Sequence, residues 1–363
     1  MKDRDPTGSA QGLGHVLIVG AGLIGTSIGL ALRRHDVHVL LEDIDPENLS
    51  IALARDAGVP LEAGSEPDVI VVAVPPRHAV AALVRTGERF PEATLTDVTS
   101  VKDPVIAGAL AAGVDPGRLV GGHPMAGREA PGAAGARADL FDGRVWVLTP
   151  APRTDPSALA QVVDIVRMCG AVPVLMAADD HDRAVALVSH APQVVASVLA
   201  GRLLDAGEGH VHIAGQGLRD MTRIADSSPA LWSDILSANS DLVADVVQSL
   251  ADELHGLAGA LRAGDVEHIR VAIERGNAGK ERIPGKHGSA PHPVAFVQVM
   301  LADRPGELAR LFTAAARAEV NTEDVRIDHV LGRPSGLVEV MVTPENVDRL
   351  ASALRSAGFD VRA

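Results

Sequence analysis

An apolar strand that runs directly into a glycine-rich turn constrains the fold of this chain more than any other feature. The strand covers residues 15–19 and is followed by Gly20-Ala21-Gly22-Leu23-Ile24-Gly25, a helix-like run over 26–34 and a second strand over 37–41. Glycines in this pattern permit a tight turn and let a pyrophosphate approach the backbone at the helix N-terminus. The order of strand, G-x-G-x-x-G and helix therefore predicts a Rossmann domain, with this turn as its cofactor-binding segment.

An acidic residue follows the second strand. Asp43 lies eighteen residues after Gly25, where a carboxylate accepts hydrogen bonds from the adenosine ribose of a dinucleotide. It would also repel a 2′-phosphate, so NAD is the predicted cofactor and NADP is disfavoured. A glycine-rich turn of an unrelated α/β fold is the alternative, and the placement of strand, helix and acid argues against it.

The alternation of strands and helices continues to residue 178. The run over 68–74 is apolar after its first residue, which is typical of a buried parallel strand. Further strands are predicted over 93–98, 118–121, 144–148 and 172–176, and together they predict an open parallel sheet. Ligands of such sheets bind beyond the carboxyl ends of the strands. Residues at four of these ends should therefore line one cleft: Gly20, Pro75, Ser100 and His123.

His123 is the candidate general base of this cleft. It lies in Gly121-Gly122-His123-Pro124-Met125-Ala126-Gly127, where the glycines and the proline predict a loop leaving a strand. Imidazole changes charge near neutral pH, which suits it to proton transfer. A histidine that merely caps a turn is the alternative.

Ser100 also admits two interpretations. Ser-x-x-Asp at the start of a predicted helix is an N-cap pattern, and capping alone would account for the serine. The two roles are compatible, because the oxygen can accept from the helix while the hydroxyl hydrogen points at His123.

From residue 179 the strands stop and helical runs follow over 184–204, 211–225, 231–261 and 266–282. These runs are too apolar to be solvated on every side, which predicts packing against one another and against a second subunit. Polar groups interrupt the first run at Ser189-His190-Ala191-Pro192-Gln193.

Arg219 and Arg223 are four residues apart, which would put both on one face of the second helical run. Like charges stacked in this way are mildly unfavourable alone and are accounted for by a bound anion. Two surface arginines paired to Asp220 and Asp226 are the alternative.

The net negative charge of this sequence limits the kinds of partner that it is expected to bind. A formal net charge of −14 argues against nucleic acid and anionic membrane surfaces, which need clustered Lys and Arg. Cys169 is the single cysteine, so a cytoplasmic setting without disulfides is expected. Residues 1–14 predict a disordered tail without a signal peptide, and no apolar run is expected to span a membrane. His210, His212, His287 and His292 do not cluster with other ligands, so no metal site is predicted.

Residues 283–293 are rich in Pro, Gly and Ser and predict a linker to a separate module over 294–363. Strand-like runs over 294–301, 325–331, 336–342 and 359–361 alternate there with two helical runs, which gives βαββαβ, a ferredoxin-like order. The predicted domains are thus a Rossmann domain over 15–178, a helical substrate and dimerisation domain over 179–282, and this module.

Residues 15 to about 282 resemble the prephenate/arogenate dehydrogenases of tyrosine biosynthesis. The resemblance rests on GAGLIGTS at 20–27, TDVTSVK at 96–102, GGHPMAG at 121–127, SHAPQ at 189–193 and GLRDMTRIADSSPALW at 217–232. The C-terminal module, with DRPGEL at 303–308, resembles an ACT domain, a fold that often binds amino acids at subunit interfaces.

The resemblance implies an NAD-dependent oxidative decarboxylation, in which hydride leaves C4 of a cyclohexadienol ring and the C1 carboxylate leaves as CO2. It assigns the base to His123, and the orientation of that base and of the substrate hydroxyl to Ser100. Carboxylate binding falls to Arg223 and Arg219. His190 and Gln193 are expected beside the substrate as well.

Gln193 departs from the family pattern, because many prephenate-using relatives carry a histidine there. Prephenate has a ketone and arogenate an amine near this position, and a neutral amide can face either, so arogenate is the alternative to prephenate. The ACT-like module implies an amino-acid effector such as tyrosine near Asp303, Pro305 and Gly306. The competing functions are a dehydrogenase of another hydroxy acid and an amino-acid-sensing binding protein.

Overall fold

The computed structural model describes residues 13–127, 132–283, 293–329 and 335–362. The chain divides into two compact units, Met1–Glu253 and Leu254–Ala363. Residues 1–12 of the predicted tail and 284–292 of the predicted linker lie outside the described residues, so both predictions stay as they are.

Eight strands form the sheet of the first unit, in the order β3-β2-β1-β4-β5-β6-β7-β8. Their bounds are β1 His15–Val19, β2 His38–Glu42, β3 Val59–Pro60, β4 Val69–Val72, β5 Thr94–Asp97, β6 Leu119–Pro124, β7 Val145–Pro150 and β8 Val172–Leu175. Neighbouring strands are parallel except β6 and β7, so the predicted parallel direction is wrong for the last two strands. The order of β1 to β6 is that of the Rossmann fold, which confirms the predicted fold class here.

Helices cover both faces of this sheet. They are α1 Leu23–Arg33, α2 Pro46–Ala54, α3 Pro76–Arg89, α4 Asp103–Ala111 and α5 Pro156–Met168. Side chains alternate between the two resulting cores: Val16 and Ile18 belong to one, and Leu17 and Val19 to the other. Both cores exclude water, which is why β1 after His15 and the whole of β4 are apolar without alternation.

The strand β6 is longer than the sequence predicts. Its last residues, expected in a loop, pair instead with antiparallel β7. The glycines in this segment allow the close approach: a Cβ on Gly122 would lie 2.7 Å from the carbonyl oxygen of Asp97 and 3.0 Å from Nε1 of Trp146. His123 therefore stands on a paired strand, which restrains it more than a loop would.

The helical region begins after β8 and continues into the second unit. Its helices are α6 Ala178–Val185, α7 Ala191–Gly201, α8 Glu208–His212, α9 Gln216–Thr222, α10 Pro229–Ala238, α11 Ser240–Ala263 and α12 Val266–Glu281. A π-helical turn, Ala186–His190, joins α6 to α7. Pro192 has no N–H to donate to the preceding turn, and the wider turn accommodates this loss.

Two of the predicted helical runs are broken. The run over 231–261 is interrupted at Asn239, which has φ −126° and ψ 31° and uses its side chain for contacts described below. The run over 211–225 divides into α8 and α9, with a short 3-10 turn, Arg223–Ala225, after α9. Glycines at 215 and 217 weaken this segment as a continuous helix.

The continuous helical segment Ala178–Asp205 is long and apolar enough to cross a membrane by length and composition alone. It nevertheless carries the buried polar residues His181, Asp182, His190 and Gln193. Each of these forms hydrogen bonds to other residues of the first unit. These contacts identify the segment as a packed helix of the helical region.

A four-stranded antiparallel sheet with the order β10-β11-β9-β12 occupies the second unit. The elements are β9 Ala295–Ala302, α13 Glu307–Arg317, β10 Asp324–His329, β11 Ser335–Val342, α14 Val347–Ser356 and β12 Asp360–Arg362. Apolar residues of β9 and β11 pack against Leu311 of α13 and Leu350 of α14. The βαββαβ order of elements is thus as predicted.

Candidate active site

The glycine turn that follows β1 is open to a ligand. Gly20 has a φ of 104°, and a Cβ there would collide with the carbonyl group of Ala73. A Cβ on Gly25 would overlap the carbonyl oxygen of Gly20, so α1 can approach β1 only without that side chain. At Gly22, in contrast, no described atom lies within 4 Å of the position that a Cβ would take, and no side chain caps α1. The turn therefore leaves space for a phosphate group beside the N-terminus of α1, where Leu23 and Ile24 begin the helix.

Asp43 follows β2 and ties that strand to the glycine turn. Its carboxylate accepts hydrogen bonds from the backbone N–H of Ala21 at 2.5 Å and of Asp45 at 2.7 Å. The side chain is half-buried, so an acidic group is held at the edge of the turn. Pro75 stands exposed after β4 and precedes α3.

His123, near the end of β6, is hydrogen-bonded to a second histidine. Its Nδ1 lies 2.9 Å from Nε2 of His181, and the two rings meet edge to face. On the other side of its ring, His181 Nδ1 lies 2.7 Å from Oδ1 of Asp182. Both His181 and Asp182 are buried, whereas His123 is half-buried. A linear histidine–histidine–aspartate chain thus leads from the helical region to the strand end.

The N-terminus of α4 holds the Asp182 end of this hydrogen-bonded chain. Asp182 accepts hydrogen bonds from the backbone N–H of Lys102 and of Asp103, each at 2.8 Å. A carboxylate is stabilised in this position, because the first N–H groups of a helix have no intrahelical partner and carry partial positive charge.

Lys102 and Asp97 form a fully buried ion pair close to His123. Lys102 Nζ donates to the carboxylate of Asp97 and to the carbonyl oxygen of Gly122 at 2.6 Å. Asp97 also accepts from the N–H and hydroxyl of Thr99. Burial lowers the pKa of Lys102, while Asp97 and Asp182 oppose that change. The pair links β5 to β6 next to His123.

The pKa of His123 lies well below its usual range. Burial is the main cause, and the positive charge of Lys102 adds to it. His123 is therefore a neutral imidazole at pH 7, and a neutral imidazole can accept a proton.

Ser100 is not an N-cap, contrary to one of its two interpretations. The helix α4 begins at Asp103 with Lys102 at its N-cap, and Asp182 takes the N–H groups that a capping serine would have taken. Among the described residues Ser100 makes no side-chain hydrogen bond, and the partner of His123 is His181. Ser100 is half-buried and lies three residues beyond the end of β5.

His190 and Gln193 are both buried, with partners within the helical region. Asn239 Nδ2 lies 3.3 Å from Nδ1 of His190, and Trp232 meets its ring edge to face. Burial lowers the pKa of His190 to about 4, so this ring is neutral at pH 7. Gln193 Nε2 donates to the hydroxyl of Ser227 at 2.8 Å.

The two arginines do not lie on one continuous helix. Arg219 is in α9, which ends at Thr222, and Arg223 begins the 3-10 turn. Both side chains are at least partly exposed. Asp220, proposed as a surface partner, accepts a hydrogen bond from Gln216 at 2.8 Å.

Three residues of this cluster were not singled out from the sequence: His181, Asp182 and Asn239. His181 and Asp182 follow two aspartates, Asp179 and Asp180, and the four together have the composition of a solvated helix start. A His-Asp pair next to a polar break in an apolar helix is the main local signal. Asn239 could have been noticed as a helix-disfavouring residue inside a long helical run.

The fold and the site are those of a dehydrogenase with a Rossmann nucleotide-binding domain and a helical second domain. A family model for the prephenate dehydrogenase nucleotide-binding domain matches residues 28–175, and one for the prephenate dehydrogenase dimerization domain matches residues 177–274. "Probable prephenate dehydrogenase NovF" of Streptomyces niveus is 37% identical over 350 residues, which are 93% of this chain and 97% of that protein. The chain therefore belongs to the prephenate dehydrogenase family, and the predicted resemblance is confirmed over these residues.

Solved structures share the same two domains. A prephenate dehydrogenase from Aquifex aeolicus, in complex with hydroxyphenyl propionate and NAD+, is 28% identical with a TM-score of 0.67, covering 75% of this chain and 99% of that one. Synechocystis arogenate dehydrogenase is 26% identical with a TM-score of 0.64, covering 74% and 99%. Both similarities leave about a quarter of the present chain unmatched.

Proposed function

We propose that this chain is an NAD-dependent prephenate dehydrogenase that converts prephenate to 4-hydroxyphenylpyruvate by oxidative decarboxylation. The observation that carries the proposal is His123, a neutral imidazole at the end of β6. This strand runs parallel to β5, β4 and β1, so His123 and the glycine turn share one edge of the sheet. Oxidation of a secondary alcohol needs a base at its oxygen and a hydride acceptor, and this edge provides for both.

The glycine turn fits NAD. The open space at Gly22 and the start of α1 would hold the pyrophosphate, and Asp43 would face the adenosine ribose. A 2′-phosphate would meet the Asp43 carboxylate, which favours NAD over NADP. Held in this way, NAD would supply the acceptor for the hydride that leaves C4 of the substrate.

The roles of the chain's own residues follow from their chemistry. His123 takes the proton of the C4 hydroxyl, and Ser100 orients that hydroxyl. Arg223, with Arg219 nearby in sequence, binds the carboxylates of a doubly anionic substrate, for which an acidic protein needs local positive charge. Loss of CO2 completes an aromatic ring, which makes the reaction effectively irreversible. NADH formation from NAD and prephenate tests this proposal, since a binding protein on a Rossmann scaffold would form none.

Arogenate is the alternative substrate, and Gln193 is the observation that supports it. Its amide is neutral and does not require a keto group opposite it, in contrast to the histidine of many prephenate-using relatives. The Nε2 group of Gln193 already donates a hydrogen bond to the hydroxyl of Ser227. We favour prephenate, and parallel rate measurements with the two substrates decide between them.

The helical region is proposed to form a homodimer. Three apolar side chains on the segment before residue 201, those of Leu187, Val188 and Val198, are each at least 60% exposed. Burying such side chains against a second copy would stabilise the pair. Sedimentation equilibrium should give twice the chain mass of 37.6 kDa. A single-chain mass at micromolar concentration would contradict this proposal.

The module over 294–363 is proposed to be an ACT domain that binds an amino-acid effector such as tyrosine beside Asp303, Pro305 and Gly306. Gly306 has a φ of 91° and is the N-cap of α13, with no described atom near a potential Cβ. Asparagine tolerates this conformation and would fill the space. We expect Gly306→Asn to weaken inhibition by tyrosine without changing the uninhibited rate. Unchanged inhibition would place the effector elsewhere.

A further inference from the structure

We propose that His181 is a positioning residue, which together with Asp182 holds His123 in the tautomer that a general base requires. The inference rests on the proposed function, since it concerns the nitrogen of His123 that receives the substrate proton. It assigns a role to two buried residues that lie outside the sequence motifs of the family resemblance.

The hydrogen bonds along the chain have one consistent direction. An ionised carboxylate can only accept, so the hydrogen between Asp182 Oδ1 and His181 Nδ1 belongs to the imidazole. A neutral imidazole has a single N–H, which leaves His181 Nε2 as an acceptor. His123 Nδ1, 2.9 Å away, must then donate. The proton of neutral His123 is therefore on Nδ1, and Nε2 keeps the lone pair.

The same contacts favour a neutral His181. The charge of Asp182 is already compensated by the N–H groups of Lys102 and Asp103 at the start of α4, so the carboxylate needs no imidazolium partner.

The hydrogen-bonded chain from Asp182 through His181 to His123 is held rigidly at both ends. Asp182 is bonded to α4, and the backbone carbonyl of the same residue accepts from Asn239 Nδ2 at 2.9 Å. At the other end, His123 stands on β6, which pairs with both β5 and β7. After His123 has taken a substrate proton on Nε2, its Nδ1–H still donates to His181, so the imidazolium keeps its partner and its orientation.

The tautomer can be observed directly in the native protein. The chain contains 14 histidines, and long-range ¹H–¹⁵N spectra of ¹⁵N-histidine-labelled protein distinguish Nδ1–H from Nε2–H rings. The His123 signals are those missing from the spectrum of His123→Asn. We expect His123 to be protonated on Nδ1 and His181 to be neutral. A His123 ring protonated on Nε2, or a doubly protonated His181, would overturn the proposal.

Two substitutions at His181 separate positioning from simple packing. Phenylalanine keeps the ring volume and removes the acceptor, so His181→Phe should lower kcat by about 10²-fold, the lower end of what a positioned general base contributes, with KM unchanged. Glutamine can accept from His123 Nδ1 through its amide oxygen, so His181→Gln should recover most of this loss. Equal loss in both variants, or none in His181→Phe, would contradict the assignment.

The outcomes of the spectra and of the rate measurements are independent. If the native chain forms no NADH from prephenate but His123 is protonated on Nδ1, the proposed function fails and the tautomer assignment stands. If His181→Phe does not fold, the spectrum of the native chain and the rate of His181→Gln still test the proposal.

Discussion

Replacing His123 by asparagine is expected to lower kcat with prephenate by about 10³-fold, within the range that a positioned general base contributes. Asparagine can still donate a hydrogen bond to His181, but it has no nitrogen that accepts a proton. The binding of NAD should be unchanged, because the glycine turn lies on β1 and its following helix. Steady-state rates and NAD titrations of the variant measure both effects.

A matched control is available on the surface. His35 is exposed and makes no side-chain hydrogen bond or ion pair among the described residues, so His35→Asn should retain full activity. Full turnover of His123→Asn would show that another group removes the proton.

The pH dependence of the reaction follows from the environment of His123. Burial and the positive charge of Lys102 lower its pKa, so the neutral, active form persists as the pH falls from 7 through 6.5. The acid limb of kcat/KM, which reports the free enzyme, should therefore begin only below pH 6.5, the usual pKa of histidine. An acid limb centred at or above that value would contradict the neutral base with a lowered pKa.

Replacing Arg223 by alanine has the second large expected effect. A charged hydrogen-bonding partner contributes about 1.5–3 kcal/mol, and a bidentate carboxylate contact lies at the upper end, so kcat/KM with prephenate should fall by about 10²-fold. Because the substrate carboxylates are bound in both the ground state and the transition state, much of the loss should be a higher KM. Lysine keeps the positive charge but lacks the planar guanidinium group. The kcat/KM of Arg223→Lys should therefore lie between that of the native chain and that of Arg223→Ala.

The control for this substitution is Arg202→Ala. Arg202 is exposed in the same helical region and makes a surface ion pair with Asp205, a contact of little energetic value. The substitution Arg202→Ala should therefore leave the KM for prephenate unchanged. Arg223→Ala should melt at the same temperature as the native chain. If this folded variant also has unchanged KM and kcat/KM, the substrate carboxylates are bound by other residues.

The nucleotide-binding half of the site could be predicted from the sequence because its determinants are local. Gly20, Gly22 and Gly25 follow one another within a single strand–turn–helix unit, and a side chain at Gly20 or Gly25 would collide with the backbone. The position of His123 at a carboxyl strand end was also predictable, since it depends only on the order of strands. Its conformation was not, because the pairing of β6 with β7 is a contact between distant segments.

The chain from Asp182 to His123 could not be predicted for the same reason. His181 lies 58 positions from His123 in the sequence, and the carboxylate of Asp182 binds N–H groups 79 and 80 positions away. Such contacts exist only when the helical region packs on the sheet. The sequence pattern at Ser100 and Asp103 predicted a local cap, and a distant carboxylate has taken that role. Likewise Asn239 interrupts a helix to reach Asp182 and His190, which helix propensity alone does not indicate.

Formation of NADH by the native chain with NAD and prephenate, compared with NAD and arogenate under the same conditions, tests the central claim most directly. We expect one NADH and one CO2 for each prephenate consumed, with arogenate reacting more slowly. Absence of NADH with both substrates would contradict the assignment of this site to oxidative decarboxylation.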